Sequence, residues 1–267
     1  MSRSRPSVYN NYGKVPSDGF HVLKDVWIQR SYIDGHSRAL TEGLHGAILA
    51  TKSAVQIRAK LAHHFRMHEG RRVFPARADR ADERALEHRI FTALGPNAPR
   101  ATNGFWDQLV AYQIPLFNSS TVKTKWGWVD LLAVTAGFDP VVIELKHADA
   151  NDTPLRTLLE CVANMIAVEA NWPRLGREIS ELPIFAGRQV GTEQKVVAPR
   201  GVLLAPASYW TNWDYGGEFA KRINEEARVS FRALRQALAE AGYPTVSAVV
   251  RTSGTDLPQI EEMNTGW

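Results

Sequence analysis

The sequence predicts an α/β domain with a mixed central β-sheet flanked by helices, preceded by an N-terminal helical extension. Two strongly β-forming segments, Val129–Thr135 and Val141–Leu145, flank Gly-Phe-Asp-Pro, whose Gly137 and Pro140 are the usual punctuation of a hairpin turn. An amphipathic helical run follows, and after it a short apolar strand ended by proline. A helix, strand, strand, strand, helix, strand order is that of an α/β core with a mixed sheet.

Along the chain, the first 35 or so residues are mixed polar and aromatic. Arg38–His68 has the periodicity of one long helix, with Leu40, Leu44, Ile48, Val55, Ile57 and Leu61 as its buried positions. Residues 1–75 are thus expected to form the extension and 76–267 the main domain. Ala81–Leu94 is the first helix of that domain, with Leu86, Ile90 and Leu94 inward and Glu83 and Glu87 one turn apart beside the stripe. Beyond the hairpin, His147–Pro154 is a polar turn in which Asp152 or Thr153 can cap a helix and Pro154 can open it. Leu155–Asn171 then carries Leu155, Leu158, Leu159, Val162, Ile166 and Ala170 at helical spacing. Gly201–Ala205 is a strand, Glu218–Ala241 an amphipathic helix with Phe219, Ile223, Phe231, Leu234 and Leu238 buried and Gly242 closing it, and Tyr243–Val250 a last strand.

The hairpin also carries the chemistry. Pairing Thr135 with Val141 sets Leu132 opposite Glu144 and Asp130 opposite Lys146, so all three charged residues project from one side of the sheet. Opposite Cβ atoms are ~5 Å apart and diagonal ones ~7–8 Å, near enough for two carboxylates to share a divalent cation beside a lysine; a one-residue bulge would break the arrangement. Hard carboxylate oxygens suit Mg2+, which polarises a phosphoryl group and lowers the pKa of bound water, while an ammonium can orient that water. The implied reaction is phosphodiester hydrolysis. Acid-x-Lys triplets are common, but charges within Val-Val-Ile-Glu-Leu-Lys call for pairing or a metal, because buried charge is costly otherwise. The plainer alternative is an edge hairpin whose Glu144 and Lys146 are solvated.

At Asp130 and Glu144-Leu-Lys146 the sequence resembles the PD-(D/E)XK nuclease superfamily, with its restriction-endonuclease-like fold. The resemblance spans roughly Asp82 to Pro206, and Val129 stands where the family's eponymous proline would be. It implies Mg2+ (or Mn2+) held by Asp130 and Glu144, with Lys146 positioning the attacking water. Such families commonly add a glutamate from the first helix, which makes Glu87 the preferred third ligand and Glu83 the reserve. Several relatives carry Gln and, four residues later, Tyr on the helix after the hairpin. The corresponding residues here are Glu160 and Asn164, which share a helix face, so Glu160 can hydrogen-bond Lys146 or a metal-bound water.

Composition bounds the partners. The net charge is +4 and the pI near 9.2, which favours a polyanion, DNA first, without requiring one. Between Lys52 and Arg100 eleven Lys and Arg meet five acids, with Arg71 and Arg72 at the centre; Lys123 and Lys125, next to Trp126, precede the Asp130 strand. All are candidates for phosphate contact, Trp126 for base stacking, and a solvated charged surface is the alternative. No apolar run approaches a membrane span and no signal-peptide pattern is seen. The single Cys161 excludes an intrachain disulfide and fits a cytoplasmic protein; homodimerisation is left open. His63, His64 and His68 lack a further zinc ligand at a recognised spacing. The cluster from Tyr209 to Tyr215 can stack on bases or sugars, or cover the sheet. The expected function is a metal-dependent DNA endonuclease. A catalytically inactive nucleic-acid-binding or protein-interaction module on the same fold is the alternative, and a sugar- or small-ligand-binding protein the third reading.

Overall fold

The structure, a computed structural model, describes residues 48, 49, 52, 83–96, 104–115, 128–150, 152–185, 199–214, 225–252 and 257–263. Among those residues the helices and strands are helix α1 (Glu83–Leu94), strands β1 (Gln108–Pro115), β2 (Trp128–Val134) and β3 (Pro140–Leu145), and helix α2 (Pro154–Ser180). Strand β4 (Arg200–Ala205), helices α3 (Ala207–Trp213) and α4 (Glu225–Glu240), and strands β5 (Thr245–Arg251) and β6 (Gln259–Glu262) complete them.

The six strands lie in chain order across one sheet. Strands β1, β2 and β3 are antiparallel neighbours, β3, β4 and β5 run parallel, and β6 returns antiparallel along β5. Parallel neighbours need a crossover, which α2 supplies between β3 and β4 and α3 with α4 between β4 and β5. Helices α2, α3 and α4 cover one face, packing Leu158, Val162, Ile166, Trp210, Phe231 and Leu234 on Leu132, Val142 and Leu203. Helix α1 covers the other, with Leu86, Ile90 and Leu94 against Leu131, Ile143 and Val202. With both faces covered, β2 and β3 are buried almost throughout, which is why Pro-Val-Val-Ile-Glu-Leu is continuously apolar apart from one acid.

Helix α2 begins as its sequence predicts. Thr153 is the cap, its hydroxyl accepting the Arg156 N–H at 3.1 Å, and Pro154 opens the first turn. It runs nine residues past the expected Asn171, through the exposed Pro173, because Leu175 and Ile179 continue the buried stripe. Close approach of α2 to β4 depends on Gly201, where an added Cβ would lie 2.8 Å from both Cys161 Sγ and Met165 Sδ. Helix α4 ends at Gly242, whose φ of +96° only glycine adopts freely, with the Tyr243 N–H on the Leu238 carbonyl.

The structure adds strands the sequence left unplaced. β1 had no assigned residues, and β6 follows β5, which is therefore not the last strand. Of the N-terminal extension, Ile48, Leu49 and Lys52 are helical; Ile48 joins the α2 core, and Lys52 lies 3.5 Å from Glu169 and over the Tyr243 ring. The remaining expected buried positions of the Arg38–His68 helix, the proposed domain boundary, Phe219 and Ile223 lie outside the described residues.

Candidate active site

Asp130 is the third residue of β2, Glu144 the fifth of β3, and Lys146 the first residue after the Leu145 strand end. The observed register pairs Val134 with Pro140 and continues to Leu131 with Ile143, the last pair before Asp130 and Glu144. The expected pairing of Thr135 with Val141 is corrected by two residues. The loop is Thr135–Asp139 rather than Gly137–Pro140: the Thr135 N–H reaches the Asp139 carbonyl, and Phe138, not Gly137, takes the left-handed conformation at φ +69°. Phe138 is held there by burial of its ring against Trp172 and Phe185. An even shift preserves the parity of the paired residues, and it brings Asp130 and Glu144 to the same end of the two strands, where Asp130 lies with Glu83 and Glu87 of α1 and Glu144 is bonded by Asn164 of α2.

Lys146 is buried, and its position is set by four carboxylates. Its Nζ donates to Glu144 Oε1 at 3.0 Å and Glu160 Oε2 at 3.2 Å, with Glu83 at 3.8 Å and Asp152 at 3.9 Å. Burial by itself lowers its pKa, but Glu144, Glu160, Glu83 and Asp130 together outweigh that effect and raise it well above the ordinary value. Glu160 thus meets Lys146 as its place on the helix implied. One turn earlier, Arg156 Nε and Nη2 donate to Glu160 Oε1 at 3.1 and 2.9 Å; one turn later, Asn164 Nδ2 donates to Glu144 Oε2 at 2.9 Å. Arg156, Glu160 and Asn164 form one stripe of α2 facing the strand end. Asn164 is completely buried and its Oδ1 has no hydrogen-bond partner.

Helix α1 brings Glu83 and Glu87 to the same end of the sheet. Glu83, Glu87 and Asp130 each offer a carboxylate oxygen within 4.8 Å of the others. The expected ligand set was Asp130, Glu144 and Glu87; here Glu144 turns toward Lys146 and Asn164, and Glu83 completes the close group. Asp130 Oδ2 is fixed by the Leu145 N–H at 2.9 Å, and Glu87 Oε2 accepts from the Gln113 carboxamide. Burial, and then the neighbouring carboxylates Asp130 and Glu83, push Glu87 up to about 10. Burial also raises Glu83 and Asp130, each to about 7, with Lys146 opposing the shift. Three crowded, desolvated carboxylates are an all-oxygen donor set that disfavours its own ionisation, and a hard divalent cation offsets both effects. As an all-oxygen set, Glu83, Glu87 and Asp130 could hold a hard ion such as Mg2+ or Mn2+.

Other sequence candidates fare differently. Arg71, Arg72, Lys123, Lys125, Trp126, Tyr215 and the three histidines lie outside the described residues. Tyr209, Trp210 and Trp213 are completely buried, which removes them as a stacking platform. Trp210 donates to the Ala248 carbonyl, while the Tyr209 hydroxyl meets Thr157 and the Asp152 carbonyl at 3.0 Å each and anchors the turn after Lys146. Cys161 is buried, and desolvation raises its thiol pKa, which disfavours the reactive thiolate. Sequence reasoning missed Arg156, whose spacing from Glu160 was the available signal, and Gln113, for which the alternation of Gln-Leu-Val-Ala-Tyr-Gln-Ile-Pro offers none. No family model, curated protein or solved structure matches the chain.

Proposed function

We propose that the protein is a divalent-metal-dependent nuclease, on a restriction-endonuclease-like core, that hydrolyses phosphodiester bonds within DNA. The observation that carries this reading is the meeting of Asp130, Glu144 and Lys146 with Glu83 and Glu87 at one end of the sheet. Six carboxylates, Glu83, Glu87, Asp130, Glu144, Asp152 and Glu160, gather around Lys146 and Arg156. A phosphate chain can approach that excess of negative charge only when cations offset it. Mg2+ or Mn2+ at Glu83, Glu87 and Asp130 would polarise the phosphoryl oxygen and supply a water of lowered pKa.

The chain's own groups do the positioning. The Leu145 N–H holds the Asp130 carboxylate, and Asn164 with Lys146 holds Glu144 from two sides. Lys146, kept protonated by its carboxylates, orients the attacking water and stabilises charge developing on the phosphate. Glu160, offset by Arg156, fixes where the ammonium points.

The test is cleavage of plasmid, linear duplex, single-stranded DNA and RNA with Mg2+, Mn2+ or EDTA. Plasmid nicking or linearisation should require a divalent ion, and Asp130→Asn or Glu144→Gln should lower it on the order of 100-fold or more. Undiminished cleavage by folded variants purified free of other nucleases would sink the reading.

A further inference from the structure

Strand β1 departs from regular geometry twice, and both departures act on Gln113. Its pairing with β2 shifts by one between Leu109 and Ala111, which makes Val110 a bulge. Without the bulge Tyr112 would lie across from Asp130. With it, Tyr112 pairs with Leu131 and Ile114 with Val129, so the place across from Asp130 falls to Gln113. Gln113 then adopts φ +50°, a left-handed backbone in the middle of a strand. Glutamine lacks the short side chain that lets Asn bond locally in that region, so the conformation is strained. Such strain persists where the surroundings impose it, and it gathers at binding sites.

The two irregularities deliver one contact: the Gln113 carboxamide donates to Glu87 Oε2, across from Asp130 and next to the carboxylates of Glu83 and Glu87. Glu87 is 2% exposed and cannot be held by solvent. We propose that Gln113 is a positioning residue for the metal site, fixing the Glu87 carboxylate beside Asp130 through a backbone that is strained in order to reach it. This rests on the metal-dependent reading of the site. It adds a residue with no metal-ligand chemistry of its own and an opposition between stability and binding. A merely architectural residue would show no such opposition, because at φ +50° glycine relieves the strain while it deletes the amide.

The experiment compares the unmodified chain with Gln113→Gly and Gln113→Ala, which both lack the amide, although only alanine keeps the strain. Thermal unfolding is followed without divalent ions, Mg2+ and Mn2+ binding by calorimetry without nucleic acid, and cleavage as a function of metal concentration. Gln113→Gly should melt ~2–4 °C above Gln113→Ala. Both variants should bind Mg2+ about 10-fold or more weakly, as loss of a group supporting a metal ligand does. Half-maximal cleavage should need correspondingly more metal, with the rate at saturating metal retained. Metal affinity equal to that of the unmodified chain in the folded Gln113→Gly protein overturns the proposal and leaves the nuclease reading standing. Equal melting of the two variants overturns it as well. Failure of the unmodified chain to bind either ion overturns both readings together.

Discussion

At the residue scale, Lys146 is the side chain on which the site turns. It is 3% exposed and its ammonium is within 4 Å of four carboxylates, so it neutralises charge that the fold has desolvated. Removing one partner of a buried ion pair costs more than the pair is worth, since the other charge stays behind. Lys146→Met, which keeps most of the volume, should therefore destabilise the protein by ~3 kcal/mol in urea denaturation at neutral pH, besides abolishing cleavage. Because its folded pKa is raised, the contribution of Lys146 is fully present below the unfolded value of about 10.5 and is lost only above it. A stability loss below about 1 kcal/mol would show that the surrounding carboxylates are protonated instead. Asp130, Glu144 and Lys146 were legible in the sequence because charge inside an apolar strand is expensive. Gln113 was not, because a bulge and a left-handed residue leave no mark on hydrophobic alternation.

At the element scale, the site depends on how closely α2 lies on β3 and β4. Its stripe reaches Glu144 and Lys146 from above the sheet, with Thr153 and Pro154 setting the start of the helix and Gly201 its distance. A Cβ at residue 201 would stand 2.7 Å from Thr245 Cγ2 as well as against Cys161 and Met165, contacts too short to accommodate without movement. Gly201→Ala should destabilise the protein by about 1–3 kcal/mol, measured by denaturant unfolding, and lower cleavage by displacing Glu160 and Asn164. Wild-type stability in that variant would mean that the helix rides freely on the sheet. The hairpin shows the limit of local reasoning. Its two strands were readable, but its register goes with a Thr135–Asp139 loop in which the Phe138 ring packs against Trp172 and Phe185, which are distant in sequence.

At the scale of the whole molecule, the carboxylate cluster links stability to pH and, on the proposed reading, to metal. Glu83, Glu87 and Asp130 all have folded pKa values above their ordinary values of 4.5, 4.5 and 3.8. The folded protein then holds protons that the unfolded chain has lost, so stability falls as pH rises. For Glu83 and Asp130 that fall runs from their ordinary values to about 7, and for Glu87 it continues toward about 10. Metal-free protein should accordingly melt at a lower temperature at about pH 8 than at about pH 5.5, and Mg2+ should raise the melting temperature more at the higher pH. The Asp130→Asn variant should show a shallower pH dependence and a smaller Mg2+ effect. A metal-free melting temperature that rises over this range would contradict the electrostatics of the cluster. Among the described residues no helix is long and apolar enough to cross a membrane.

The sequence by itself determined the α/β class, most element positions, the capping of α2, and the candidacy of Asp130, Glu144 and Lys146. Each of these follows from local physics: period-2 and period-3.6 burial, the special backbones of Gly and Pro, and the cost of charge in an apolar strand. Tertiary structure decided the hairpin register, the place of β1 and β6, the burial of Tyr209, Trp210 and Trp213, and the choice of Glu83 over Glu144 in the close carboxylate group. Those depend on which distant surfaces meet. A carboxylate turns toward whichever donor the packing brings within 3 Å, and for Glu144 that donor set, Lys146 and Asn164, was assembled by α2 crossing the sheet.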